Sequence, residues 1–316
     1  MDNYLFEKPI LFLIFNRLET TKQVFSAIKE RHPKYLYIAA DGPRDIKKGE
    51  MEICHEVREY VKNNIDWDCE VKTLFRNQNL GCKVAVSSAI DWFFENVEEG
   101  IILEDDCLPD QSFFLFCQEL LEKYRDNDRI AMISGNHFGN ERLGNADYYF
   151  TRIPHIWGWA TWRRTWNDYD LGMKKYPNFK NEGLIKDIWI DKSVQDYWID
   201  IFDEVYNNKI NTWDYQFSFS VFLNKRLCIC PNVNLVSNIG FGKDFTNTVI
   251  IDKRVANLSL EKINFPLVYP MKIEYSEKND YIINKFQLKN YHLKKFLKYF
   301  GVFEFAKFVY IKLLKI

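Results

Sequence analysis

Five segments of strand length, at 9–15, 35–40, 69–75 (this one alternating polar and apolar), 100–103 and 130–134, alternate with helix-length segments through the first 135 residues. That alternation constrains the fold more than any other feature of the chain. Runs such as Pro9-Ile-Leu-Phe-Leu-Ile-Phe15 are apolar without interruption, the pattern of a strand covered on both faces. Helices of ~10–15 residues between such strands imply βαβ units and a doubly wound, mostly parallel α/β sheet. The expected helices lie at 20–29, 49–63, 81–95 and 112–124. Asp41-Gly42-Pro43 closes the second strand and Gly135-Asn136 the fifth.

After residue 148 the rhythm breaks. Trp157, Trp159, Trp162 and Trp166 crowd one short stretch, and the last three share a helical face if it is a helix. Helices are expected at 194–208 and 214–224, with a hairpin-like pair of strands around 227–238. The expected organisation is a catalytic domain over 1–250, with a nucleotide-binding half 1–135 and an acceptor half 136–250. A connecting segment, 251–284, then leads to basic amphipathic helices at 285–316. That tail carries eight Lys against one Glu, a net +7 in a chain whose total is −1.

The near-zero total gives no global pull toward nucleic acid. Apolar residues at 47% and charged ones at 28% exclude collagen-like and disordered classes. Seven scattered cysteines without a CxxC pair read as reduced thiols, and no signal peptide or apolar stretch of membrane-spanning length is visible. The expected location is therefore cytoplasmic.

Ligands of open parallel sheets bind at the carboxyl ends of the strands. Three polar clusters fall there: Asn16-Arg17, Asp41-Gly42 and Glu104-Asp105-Asp106. Adjacent carboxylates repel, and a hard divalent cation such as Mg²⁺ or Mn²⁺ offsets that repulsion with oxygen ligands. Strand alternation would turn Glu104 and Asp106 to one side and Asp105 to the other. A solvated acidic turn is the plainer alternative.

The order strand-Asn-Arg, strand-Ala-Asp-Gly, Asn79-Leu-Gly81, then Ile-Ile-Leu-Glu-Asp-Asp resembles GT-A glycosyltransferases. The similarity is greatest to the N-acetylglucosaminyltransferase I type and its bacterial relatives. It runs from Pro9 to Thr248 and includes Trp213-Asp214 and the loop after Gly240. The resemblance implies a GT-A fold, a UDP-sugar donor and Mn²⁺ or Mg²⁺. Arg17 and Asp41 would bind the nucleotide, Asp41 accepting from the uracil imide. Asp106 would ligate the metal, Glu104 and Asp105 would meet the sugar and ribose, and Trp213 would lie against a sugar. Asp214 would be the base of an inverting displacement, a role that suits a carboxylate able to take the acceptor hydroxyl proton. A helix cap is the competing reading for Asp214.

Lys243, Thr246 and Thr248 sit in a glycine-hinged loop suited to closing on a pyrophosphate, where Asn247 stands near the position of a histidine in related enzymes. Lys83 and Ser87, at the start of the third helix, are further nucleotide contacts. Trp157 and Trp159 read either as core or as a stacking platform for a pyranose. His137 and His155 read as structural. A retaining transferase of the same fold and a non-catalytic carbohydrate-binding protein are the alternative functions. Expected partners are the nucleotide-sugar and a glycan or lipid-linked acceptor. The tail would contact the inner membrane face or pack against the protein or a second subunit.

Overall fold

The computed structural model describes residues 6–138, 141–240 and 257–302. Its centre is an eight-stranded sheet of β1 (Ile10–Ile14), β2 (Tyr35–Ala40), β3 (Glu70–Phe75), β4 (Glu99–Glu104), β6 (Ile130–Ser134), β7 (Tyr148–Thr151), β8 (Trp159–Trp162) and β9 (Leu227–Pro231). The order across it is β3-β2-β1-β4-β8-β6-β9-β7. The strands β3, β2, β1 and β4 run parallel, β8 is antiparallel to both β4 and β6, and β7 is antiparallel to β9. A second, two-stranded sheet joins β5 (Cys107–Pro109) to β10 (Val236–Asn238).

The continuous apolar runs are explained by cover on both faces. Ile10, Phe12 and Ile14 of β1 join one core with Val24, Phe25 and Ile28 of α1 (Leu18–Arg31). The same core takes in α2 (Glu50–Asn63) and α4 (Gln111–Lys123). Leu11 and Leu13 enter the opposite core with Ile90, Phe93 and Phe94 of α3 (Gly81–Asn96). The α/β, Rossmann-like, doubly wound class read from the sequence is therefore the class observed. Because β2 and β4 flank β1, the winding reverses between β1 and β4, which opens a crevice at their carboxyl ends.

The second half departs from expectation in two places. Trp159 and Trp162 lie on strand β8, not on a helix, and only Arg163–Trp166 makes a short helical turn, α5. Strand alternation sends Trp159 into one core and Trp162 into the other. The expected hairpin at 227–238 does not form: β9 pairs with β6 and β7, while β10 crosses to β5. The remaining helices are α6 (Tyr176–Asn181), a 3₁₀ turn (Leu184–Asp187), α7 (Lys192–Tyr206), α8 (Asp214–Leu223) and α9 (Glu277–Tyr299).

Helix α9 starts inside the segment expected to connect and runs across the boundary at 285. Its N-terminal half is anchored: the buried Asp280 carboxylate accepts from Arg152 Nε and Thr151 Oγ1, both at 2.6 Å, and Leu288 is buried. Further along, Tyr291 and Lys295 reach Asp200 of α7 at 2.5 and 2.7 Å. The outer face still exposes Phe296 and Phe300, each at 59%. Among the described residues no helix is long and apolar enough to cross a membrane. All seven cysteines are free.

Candidate active site

The crevice between β1 and β4 holds a cavity of about 320 Å³. Its floor is apolar, from Leu13, Ala39, Ala85 and Ala89, and its rim is polar, from Arg17, Asp41, Arg44, Arg76, Asn79, Glu104, Asp105 and Asn211. Each of the three polar clusters of the sequence thus sends a side chain to this cavity: Arg17, Asp41, and Glu104 with Asp105.

The strand ends at Glu104, so alternation does not carry into the next two residues, which form a turn. As a result Asp105 and Asp106 are not turned apart. Both bind the Arg17 guanidinium, Asp106 Oδ2 accepting from Nη1 at 2.7 Å and Asp105 from Nη2. Asp105 is 2% exposed and also accepts from the Phe15 N–H at 3.2 Å. Its carboxylate is thus held by Arg17 and the Phe15 N–H where it lines the cavity. Burial pushes Asp105 up to about 6 despite Arg17, and burial together with Asp106 pushes Glu104 up to about 8. Two carboxylates, Asp105 and Asp106, share one guanidinium, which leaves the cluster a net negative charge that a divalent cation would offset. Gly240 lies over this pair, and a Cβ there would collide with Asp106 and Arg17.

Among the described residues no three His, Cys, Asp or Glu side chains converge on one metal position. Asp106 keeps Oδ2 on Arg17, and its Oδ1 meets, among the described residues, only the Cys107 thiol at 3.5 Å, so that oxygen could join phosphate and water around an ion, the habit of Mg²⁺ in nucleotide sites.

Asp41 differs from its expected role. Its two oxygens accept from the backbone N–H groups of Gly42, Leu80 and Gly81 and from Asn79 Nδ2, at 2.9–3.2 Å. Those bonds fill its acceptor capacity, so it clamps the 79–81 turn at the head of α3 instead of offering a free oxygen to a base. Gly81 takes φ +76° there, which suits glycine. Behind the rim, Arg44 pairs with the buried Glu50, whose carboxyl that hydrogen bond holds down at about 2. Sequence reasoning passed over Arg44, Arg76 and Asn211, which carry no motif.

Lys83 points away from the cavity to Asn208 Oδ1 at 2.9 Å, and Ser87 is buried and bonded to the Lys83 carbonyl. Neither lines the cavity. Trp213 and Trp159 are 2% and 1% exposed and stack on each other, ring centroids 5.8 Å apart. They are core, not sugar platforms, because both indoles are enclosed with Trp166 and Phe217. Lys243, Thr246, Asn247 and Thr248 lie outside the described residues.

Asp214 opens α8 as its first residue, immediately after the Trp213 cap position. The buried Trp213 fixes where that helix starts, and Thr212 Oγ1 donates to the carboxylate. Burial raises the Asp214 pKa, partly countered by Thr212 and by the backbone N–H groups of Asp214 and Tyr215. Its charge acts on Glu104, and with burial and Glu104 it helps push the Cys82 thiol to about 12. Asp214 also lines a second cavity of about 210 Å³, with Trp157 and His155. It lines that pocket and not the crevice.

No protein-family model matches the chain, and no curated protein matches it by sequence. Among solved structures it is similar to HddC from Yersinia pseudotuberculosis, at 11% identity and TM-score 0.31, over 51% of this chain and 80% of that one. It is similar to mouse xyloside xylosyltransferase 1 at 9% identity and TM-score 0.33, over 68% and 81%. It is also similar to the 4-diphosphocytidyl-2C-methyl-D-erythritol synthase of Anaerococcus prevotii, at 11% and 0.31, over 54% and 76%. At these scores the likenesses carry no argument about reaction or substrate.

Proposed function

We propose that the chain is a metal-dependent glycosyltransferase of the GT-A type, moving a sugar from a UDP-sugar to a glycan or lipid-linked acceptor with inversion. The observation that carries this reading is the meeting of Arg17 with Asp105 and Asp106 at the winding reversal, with Asp214 within electrostatic reach of Glu104.

In this reading the nucleoside lies in the 320 Å³ crevice, whose apolar floor suits a base and whose cationic rim residues Arg44 and Arg76 suit the donor's charge. Asp106 holds the cation, and what the cation supplies when bound is neutralisation of the departing diphosphate. Arg17 keeps the carboxylates of 105 and 106 oriented. Asp214 takes the proton of the acceptor hydroxyl as that oxygen bonds to the anomeric carbon. The bond from that carbon to the phosphate oxygen breaks, and its electron pair leaves with UDP. Burial makes Asp214 a stronger base than an exposed carboxylate, because desolvation penalises its charged form.

Calorimetry of UDP with and without Mn²⁺ tests the donor half. Wild type should bind UDP more tightly with Mn²⁺, and Asp106→Ala should lose that difference while an unfolding curve shows that it still folds. Metal-independent UDP affinity, or no UDP binding at all, overturns the proposal.

A further inference from the structure

The pocket beyond Asp214 is built almost entirely from the half of the chain without a sequence rhythm. Trp157 and His155 come from the β7–β8 connection, Trp198 from α7, Asp214 from α8 and Ile283 from α9. Phe138 braces the wall, edge-on to His155 at 4.7 Å and to Trp157 at 5.4 Å. Aromatic planes locked edge to face cannot easily turn, so the wall is rigid.

Two polar atoms of this wall lack partners. His155 Nε2 and Trp198 Nε1 are both buried without a hydrogen bond. An orphaned buried nitrogen is costly, and native structures retain one for a reason. Burial, with His137 adjacent, drives the His155 pKa to about 3, so its imidazole is neutral at ordinary pH and has a lone pair to offer. An indole N–H only donates. An alcohol both donates and accepts, so a single hydroxyl matches an acceptor and a donor together. The volume, about 210 Å³, admits one six-membered ring with its hydroxyls. Resting on the glycosyltransferase reading, we infer that this pocket receives a single pyranose ring of the acceptor. Its C–H face lies on Trp157, a hydroxyl lies between His155 and Trp198, and the reactive hydroxyl faces Asp214.

Helix α9 is then part of the acceptor site, because Ile283 closes the pocket and the Asp280–Arg152 pair holds that turn in place. Specificity would be set by which hydroxyl reaches the two nitrogens. A ring lacking it leaves them orphaned, at a loss of roughly tenfold or more in affinity.

The test is saturation-transfer NMR on the full chain, with methyl pyranosides of glucose, galactose, N-acetylglucosamine, N-acetylgalactosamine and xylose, read with and without UDP and Mn²⁺. At least one glycoside should receive saturation, concentrated on one C–H face. Trp157→Ala should abolish it, Trp157→Phe should restore most of it, and His155→Leu should weaken binding about tenfold without lowering the melting temperature. UDP affinity by calorimetry, unchanged in all three, shows that each is folded. Saturation that survives Trp157→Ala and His155→Leu, or none from any glycoside, overturns the inference and leaves the donor reading standing. If UDP itself fails to bind, the donor reading falls, and the glycoside result without UDP still decides the pocket.

Discussion

The two halves of the molecule hold their sites by different means. Around the crevice between β1 and β4 the polar groups are braced against one another: Asp41 to the 79–81 turn, Arg17 to Asp105 and Asp106, Arg44 to Glu50. Around α8 the bracing is aromatic, with Trp159, Trp166, Trp213 and Phe217 in mutual contact. The polar half offers a ligand few free groups until it exchanges internal partners for external ones. The aromatic half places a single carboxylate, Asp214, on an enclosed scaffold that need not move. A charged donor with a cation suits the first, and a neutral ring with one reacting hydroxyl suits the second.

The contrast is tested most strongly at Asp214. Asp214→Asn should keep UDP affinity while turnover falls by about 10²–10⁴, the usual loss for a positioned base. NMR of the product should show an inverted anomeric centre. Retained configuration, or turnover within tenfold of wild type, would break the division of labour.

Trp213→Ala comes next. Opening a cavity in the aromatic stack should cost about 3–5 kcal/mol of stability by denaturant unfolding. Asp41→Asn, on the polar side, should cost less, about 1–3 kcal/mol, because only charge-assisted bonds to three N–H groups and one amide are weakened. The reverse ranking would mean that the crevice, not the stack, is the stiffer half.

The pH response separates the halves further. His155 has its folded pKa depressed from 6.5 to about 3, so the unfolded chain binds a proton that the folded chain refuses in that window. Its contribution is complete above pH 6.5 and declines on acidification, by at most about 1.4 kcal/mol per pH unit. Glu50 is depressed from 4.5 to about 2 and loses its contribution only as pH falls through that lower range. Glu104 and Asp105, raised to about 8 and about 6, act the other way, because the folded chain takes up their protons first and gains stability on acidification. His155→Leu should therefore raise the stability at pH 5 relative to pH 7 compared with wild type, while Glu50→Gln leaves that difference in place.

The smallest effect concerns the exposed end of α9. If Phe296 and Phe300 meet an anionic leaflet, replacing both by Ser should weaken co-sedimentation with anionic vesicles at low salt severalfold, about 1 kcal/mol. Asp280 and Leu288, which anchor the helix, stay in place in that variant. Equal sedimentation of both proteins would assign this face to protein packing.

What the sequence determined by itself is the first half: its strand order along the chain, the class of sheet and the polar clusters at the strand ends. Continuous apolar runs and intervening helical segments admit few arrangements, and the carboxyl ends of parallel strands converge by topology alone. Tertiary structure decided the rest. Trp159, Trp162 and Trp166 satisfy a helical spacing, yet β8 forms because its backbone bridges β4 and β6 in the middle of the sheet. The 227–238 stretch looks like a hairpin, but β10 finds its partner more than 120 residues earlier, at β5. Whether a carboxylate is open or committed was also invisible beforehand. Asp41, Asp105 and Asp106 have the same chemistry, and only the number of donors brought to each separates them. Asp41 takes four groups; Asp105 takes Phe15 and Arg17; Asp106, among the described residues, takes Arg17 alone of the distant segments. Periodicity reports which face of an element is buried. The partners of a buried polar atom are set by long-range contacts, and those exist only once the chain has folded.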